Sequence, residues 1–425
     1  MGQAIAYVIH PDNRQDPLPR PPETCLEEAC GLVEAIGVDV VFADITPVNR
    51  PRAGTFIGKG YAEMLKDRAE SDDHPLIVIN TSLAPVQQRN LEMITGCKVI
   101  DRTALILEIF GARASTHAGR LQVELAALSF QRSRLVRSWT HLERQRGGGG
   151  FLGGPGERQI ELDRRMLMQR VQQIQKELTD VERTRLLQRQ NRDRAETPTL
   201  ALIGYTNAGK STLFNALTGA GVLSKDMLFA TLDPTMRALK LSSSRKVVLA
   251  DTVGFISQLP TELVEAFKST LEEVVSADLL IHVHDASSPL LLEEADDVFQ
   301  VLRDLGIDEQ TLATRILHVF NKADIAGDIA AAVRERFTKP VMVSALTGDG
   351  VSDLENRIEQ LLSLQDRFLK VTVPPGEGAA RAWLFSQGRV HHTVMCDNGC
   401  EEMDVTLSTA DFARFTARWP EIMLK

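Results

Sequence analysis

The sequence predicts a multidomain α/β protein. A doubly wound α/β domain is preceded by a small α/β domain and a long antiparallel helical hairpin, and is followed by a small α+β module. Three observations predict this. A glycine-rich turn, Gly204 to Ser211, follows the apolar run Leu200-Ala201-Leu202-Ile203. Leucine recurs every seventh residue from Leu121 to Leu142. Short apolar runs alternate with helical patterns between Ile5 and Ile100.

A chain of 425 residues has room for two to four domains, and a hydrophobic content of 43% is enough for packed cores. The five cysteines (Cys25, Cys30, Cys97, Cys396 and Cys400) are an odd, scattered set. That argues against a disulfide framework and for a reducing, cytoplasmic compartment. His391-His392 near Cys396 and Cys400 lacks any standard zinc spacing. No run of eighteen apolar residues is present, so no transmembrane span is expected. The stretch Ala4 to Ile9 has no basic flank and is not read as a signal peptide. Peripheral membrane contact stays open.

Residues 1–115 form the first domain. Apolar runs at Ile5 to Ile9, Val38 to Phe42, Leu76 to Ile79 and Lys98 to Ile100 read as strands. Helical patterns around Leu26 to Ile36, Tyr61 to Ala69 and Val86 to Ile94 lie between them. Such alternation predicts a mostly parallel sheet. Gly58-Lys59-Gly60 reads as a helix-start turn rather than a phosphate contact, because it lacks nucleotide-site spacing.

Residues 116–196 form the hairpin. Leu121, Leu128, Leu135 and Leu142 repeat at seven, with Leu125 and Trp139 on the same face. Ile160, Leu167, Ile174 and Val181 repeat likewise, with Val171 and Leu178 between. Both are heptad-like helices. Gly147 to Gly156 joins them. Ten connecting residues, mostly glycine, exceed what a helical hairpin needs and cost ordering entropy. A tip that orders on a partner accounts for that cost. From Arg132 to Glu196 the chain carries fifteen Lys+Arg, fourteen of them arginine, against nine Asp+Glu. The net of +6 contrasts with −9 for the whole chain. Arginine suits bidentate phosphate contact and stacking on bases, which points to a nucleic-acid partner, with a solvated helix face as the other reading; RNA is the expected partner and no DNA contact is expected. The candidate RNA contacts are Arg144, Arg146, Gly149, Phe151, Gly153 and Arg158.

Residues 197–365 carry the chemistry. Gly204-Tyr205-Thr206-Asn207-Ala208-Gly209-Lys210-Ser211 matches G-x-x-x-x-G-K-[S/T] directly after a strand. Its glycines let backbone N–H groups approach a polyphosphate, and the helix N-terminus favours negative charge. Lys210 reaches the β- and γ-phosphates, Ser211 ligates Mg2+, and Thr212 joins the nucleotide-binding set. Asn321-Lys322-Ala323-Asp324 follows the apolar run Ile316 to Phe320. A carboxylate there accepts from N1–H and the exocyclic amine of guanine, so the nucleotide is GTP or GDP rather than ATP. Between these motifs, Asp251-Thr252-Val253-Gly254 ends another apolar run. Asp251 holds Mg2+ through water, and the Gly254 N–H senses the γ-phosphate. Lys210 and Gly254 are the candidate catalytic groups. The segment Phe229 to Thr235 offers a loop threonine for Mg2+, Thr231 first and Thr235 second, and Phe229 joins the nucleotide-binding set. Ser344-Ala345-Leu346 closes over the base. Residues 366–425, with apolar pieces Phe368 to Val373, Trp383 to Phe385 and Val390 to Met395 and a helix near Ser408 to Trp419, show no identifiable chemistry.

The five elements in this order resemble a translation-factor-class P-loop GTPase. The wording Gly-Tyr-Thr-Asn-Ala-Gly-Lys-Ser-Thr, Phe-Ala-Thr-Leu-Asp-Pro-Thr and Asp-Thr-Val-Gly-Phe-Ile is similar to the HflX family of bacterial ribosome-associated GTPases. Thr55 to Gly60 and Gly153 to Glu157 resemble that family's N-terminal signatures, so the likeness covers roughly residues 20 to 365. The resemblance implies a slow GTPase stimulated by ribosomes. It implies binding to the large (50S) subunit, with the tip near the peptidyl transferase centre, and splitting of stalled or stored 70S ribosomes, notably under heat stress. A monomer is expected. Two departures bear on mechanism. Phe255 stands where many related GTPases carry a water-orienting glutamine. Asn207 stands where some GTPases hold K+ beside the phosphates, though it can equally brace the loop. Two alternatives stay open: a large-subunit assembly GTPase, and a GTP-gated regulatory partner of a membrane protease.

Overall fold

The computed structural model describes residues 4–145, 155–195 and 197–219, and most of 229–424. Within that last span, residues 230–234, 242–244, 259, 261–262, 264–270, 272, 328–332, 334, 338, 364–365, 397–398 and 408 lie outside the description, as do the side chains at 135–145, 155–161, 163, 185, 188–195, 409–410 and 423–424.

The first sheet has strands β1 (Ile5–Asn13), β2 (Asp39–Val48), β3 (Leu76–Ile79) and β4 (Val99–Asp101) in the order β2-β1-β3-β4, every pair parallel. Helices α1 (Pro22–Glu34), α2 (Lys59–Ala69), α3 (Pro85–Thr95) and α4 (Arg102–Arg113) cover it. The two-residue period of β1 sets its two faces. Ala6 and Val8 pack with Leu32, Val33 and Phe110, whereas Tyr7 and Ile9 pack with Ile57, Leu65 and Leu91. Gly58 is the N-cap of α2, in agreement with the helix-start reading. The sequence pattern does not reveal α4. Seven of its twelve residues are buried, so it lacks the polar stripe that marks an amphipathic helix.

The hairpin helices are α5 (His117–Gln145) and α6 (Pro155–Ala195). Leu121 meets Ile174 and Leu178 in a seam flanked by Leu125 and Leu128, which are heptad positions. Glu124 and Arg170 clamp the seam with two charge-assisted hydrogen bonds of 2.6 and 2.8 Å.

The central sheet joins β5 (Thr199–Ile203), β6 (Thr235–Lys240), β7 (Lys246–Asp251), β8 (Leu279–Asp285), β9 (Ile316–Asn321) and β10 (Val341–Met342) in the order β10-β9-β8-β5-β7-β6. Only the edge strand β6 runs antiparallel. All five residues of β5 are buried, as a central strand covered on both faces requires. Among the described residues, helices α7 (Lys210–Thr218), α8 (Leu291–Asp304), α9 (Glu309–Arg315) and α10 (Val351–Ser363) belong to this part.

The C-terminal module is an antiparallel sheet of β11 (Arg367–Val373), β12 (Arg389–Met395), β13 (Glu401–Leu407) and β14 (Met423–Leu424), with helices α11 (Gly378–Gln387) and α12 (Thr409–Arg418). Trp383 to Phe385 belongs to α11, whose Leu384 packs on Val405 and Phe415 in the module's core. Among the described residues, no helix is long and apolar enough to cross a membrane.

Candidate functional site

The site forms where β5 becomes α7. Gly204 has φ +149°, and a Cβ on it would stand 2.2 Å from the Val283 carbonyl oxygen. Gly209 has φ +86°, and a Cβ there would stand 2.1 Å from Asn321 Nδ2. These two positions therefore require glycine. Asn207, between them, has φ +61° in the left-handed region that asparagine tolerates. The loop thus curls so that α7 starts at Lys210.

Lys210 is buried, and its ammonium donates to the carbonyls of Gly204 at 3.1 Å and Tyr205 at 2.7 Å. Burial pushes it down to about 8, opposed only by the charge of Asp251. Next to it, Ser211 Oγ donates to Asp251 Oδ2 at 2.7 Å. A hydroxyl and a carboxylate side by side at the loop's helix start are a hard-oxygen pair suited to Mg2+. Asp251 ends β7, and Thr252 anchors the chain beyond it by donating to Leu202 O at 2.5 Å. Thr206 Oγ1 is buried with no hydrogen-bond partner among the described residues.

Gly254 lies against the loop. A Cβ on it would sit 3.0 Å from Thr206 and 3.1 Å from the Lys210 ammonium. Phe255 is stitched to the same loop. Its N–H donates to Gly204 O at 3.1 Å, and its carbonyl accepts from Thr206 N–H at 2.7 Å. Its ring is only 2% exposed and lies in the core. It offers no polar group for orienting water.

Asn321 ties the second motif to the first. Its Nδ2 donates to Ala208 O at 2.9 Å, and its Oδ1 accepts from Ala345 N–H at 2.9 Å. Lys322 pairs with Asp285, the last residue of β8, at 2.7 Å. Asp324 is exposed beside this corner. Ser344 is buried, Ala345 is half-buried and Leu346 is 82% exposed. The structure therefore brings the Gly204–Ser211 loop, Thr212, Asp251, Gly254, the Asn321–Asp324 turn and Ser344–Leu346 to one edge of the sheet.

Three expectations fare differently. Phe229 does not turn into the site. Its ring packs edge-on against Phe110 of α4, with centroids 4.7 Å apart, because an apolar pocket under the first domain claims it. Thr231 lies outside the described residues, and Thr235 opens β6 opposite Asp251. Arg146, Gly149, Phe151 and Gly153 also lie outside them, and Arg144 and Arg158 sit on α5 and α6 without described side chains.

Local motifs miss a further group. Glu28 of α1 accepts from the Tyr205 hydroxyl, from Ser257 Oγ at 3.0 Å and from Arg102 at 2.5 Å. Arg20 donates to Tyr205 Oη at 3.0 Å and pairs with Asp297 of α8. Arg102 also donates to Ser257 O at 3.0 Å and Asn80 at 2.8 Å. Burial raises the Glu28 carboxyl, but Arg102, the Tyr205 hydrogen bond and Arg20 together carry it below its ordinary value. Burial, then the Glu28 charge, pushes the Tyr205 phenol up. The first domain thus grips both the phosphate loop and the segment after Gly254. Beside this grip a cleft of about 530 Å3 opens between Glu27, Glu34, Asn207, Asp285 and Glu294.

Comparison with known proteins finds relatives along most of the chain. Family models match residues 23–111 (GTP-binding GTPase N-terminal), 113–192 (GTP-binding GTPase Middle Region) and 199–322 (50S ribosome-binding GTPase). GTPase HflX of Magnetococcus marinus is 49% identical over 84% of this chain and 82% of its own length. GTPase HflX of Escherichia coli is 42% identical over 94% of this chain and 93% of its own. A GTP-binding protein of Sulfolobus solfataricus, solved in complex with GDP, is 25% identical over 84% of this chain and 98% of its own, with a TM-score of 0.44.

Proposed function

This chain belongs to the HflX family of GTPases, and we propose that it is a GTP-driven switch that binds the 50S subunit and splits stalled or stored 70S ribosomes, notably under heat stress. It hydrolyses GTP to GDP and phosphate. The observation that carries the reading is the position of Lys210. A buried ammonium at a helix start, held only by two carbonyls of a glycine turn, suits transfer onto a polyphosphate.

In this reading Lys210 exchanges its carbonyl partners for phosphate oxygens. Ser211, and Asp251 through water, would hold Mg2+, which would supply positive charge to offset that of the phosphates, and Thr231 would be a further ligand. Asn321 keeps the guanine corner in register with the phosphate loop, and Asp324 reads guanine. Ser344, Ala345 and Leu346 flank the base. Phe255 lends no polar side chain, so unassisted turnover is slow. Asn207, within the phosphate loop, is a proposed contact for K+.

The partner reading rests on the hairpin. Its net charge of +6 is concentrated on α5, α6 and the connection between them, in a chain of −9. Arg144, Arg146, Gly149, Phe151, Gly153 and Arg158 are the proposed rRNA contacts, made by a cytoplasmic monomer.

The test is GTP turnover with and without purified 50S subunits at two KCl concentrations, together with sedimentation of 70S ribosomes. Stimulation of roughly 10³-fold or more, with accumulation of free subunits, is expected. Unchanged turnover with 50S would sink the ribosomal reading. Stimulation by 50S without loss of 70S would sink splitting alone.

A further inference from the structure

The central sheet carries three histidines that the nucleotide site does not use. His282 and His284 alternate along β8 and so share a face. His318 lies directly opposite His282 in the β8–β9 register, on that same face. His284 Nε2 and His318 Nδ1 are 3.0 Å apart, and one ring nitrogen from each of the three lies within 4.8 Å of the others. The rings are closely layered, with the His282 and His284 centroids 3.8 Å apart.

Phe299, Phe320 and Phe337 surround the cluster. Imidazole nitrogens need polar partners in such a place, and leaving them unmet is costly. Among the described residues, His282 Nδ1 is buried with no hydrogen-bond partner. A core built only for packing would use leucine or phenylalanine at these three positions. Three convergent nitrogen donors instead match the ligand set of a borderline metal ion.

We propose that His282, His284 and His318 form a binding site for zinc or a similar late first-row divalent cation, which would staple β8 to β9. Metal–nitrogen bonds of about 2.0–2.1 Å in tetrahedral geometry place nitrogens about 3.3 Å apart. The His284–His318 pair therefore needs to open only slightly, with the cation replacing their mutual hydrogen bond. His318 is half-buried and gives the ion its entry and its position for water. Arg336, the cation on the neighbouring segment, is ion-paired with Asp296, which weakens its opposition.

The placement has a consequence. β8 ends one residue after His284 at Asp285, and β9 ends three residues after His318 at Asn321. A staple between these strands would hold the Asp285–Lys322 pair and the Asn321 link in register.

The test uses the full-length protein, stripped with chelator, kept in excess Mg2+ and titrated with Co2+ and then Zn2+. Uptake of one equivalent of Co2+ is expected, with visible ligand-field bands and no thiolate charge-transfer band. The missing thiolate band separates this site from the five cysteines. Zn2+ should displace the cobalt and raise the melting midpoint by roughly 5–10 °C at 100 times its Kd. His318→Gln and His284→Leu should each lower Co2+ affinity at least 100-fold while GDP binding persists. No stoichiometric Co2+ uptake by the unmutated protein overturns the proposal whatever the variants do. A thiolate band, or uptake indifferent to both substitutions, overturns it equally.

Discussion

The first sheet, all parallel, and the central sheet, parallel but for its edge strand β6, are built alike and end differently. In each, apolar strands run under covering helices, and polar residues gather where strands give way to helices. At the edge of the first sheet a buried cation meets a buried carboxylate, Arg102 on Glu28, and Asp101 caps α4 by accepting from Ala104 N–H at 2.8 Å. At the edge of the second, Lys210 is as deeply buried, but its bonds go to two backbone carbonyls. A cation held by carboxylates is a strut. A cation held by neutral carbonyls of a glycine turn keeps its charge available to an anion. The α/β architecture is common to both sheets, and only the second makes a phosphate site.

If that contrast is right, losing the strut should cost fold and losing the loop cation should cost ligand. Arg102→Ala should lower unfolding free energy by about 3–5 kcal/mol in a denaturant titration, because Glu28 would stay buried with one partner fewer. A loss under about 1 kcal/mol would break the comparison. Lys210→Met should weaken GTP binding at least ~100-fold by calorimetry, a loss of roughly 3 kcal/mol. Its stability should hold or rise by about 1 kcal/mol, since a desolvated charge is removed. Destabilisation there would show that Lys210 is also a strut.

Smaller effects sharpen the picture. Gly209→Ala forces a side chain into the left-handed region and against Asn321, at a cost of about 1–3 kcal/mol. GDP affinity should fall roughly tenfold, and an unchanged affinity would detach Asn321 from the loop's function. Glu294, at the cleft, tests the electrostatics. Burial pushes its carboxyl up to about 7, with the Ser288 hydroxyl opposing. The folded chain therefore holds a proton that the unfolded chain releases above its ordinary value near 4.5. That contribution is fully present below the unfolded value and is lost as pH rises through about 7. Glu294→Gln should be nearly neutral at pH 5 and stabilising by about 1 kcal/mol at pH 8, allowing for solvent screening. Parallel melting curves for the two proteins between these pH values would refute the assignment.

Much of the site is legible in the sequence because its parts are local. The phosphate loop spans eight consecutive residues whose glycines answer to positive φ and close approach, and Asn321 to Asp324 sits at a strand end that its apolar run announces. The hairpin seam is equally readable, since Leu121, Ile174 and Leu178 fall on heptad positions. The grip of Glu28 on Tyr205 is not readable, because 177 residues separate the partners, Glu28 lies in no motif, and the phosphate-loop pattern leaves the Tyr205 position open. Phe229 shows the same limit. An aromatic beside a site motif reads as a ligand contact, and only the position of Phe110 reveals it as core.

The sequence by itself determined the heptad helices of the hairpin and the phosphate loop, and it put Asn321 to Asp324 at a strand end, because those depend on periodicity, backbone conformation and spacing within single turns. Only the tertiary structure decided which first-domain residues reach Tyr205 and Ser257, where Phe255 puts its ring, and that His282, His284 and His318 share one face. Those contacts depend on strand order and register, which bring distant segments to within a few ångströms. The hydrophobic pattern of a strand says which of its faces is buried, but which strand it pairs with across a long connection is settled only when the whole sheet packs.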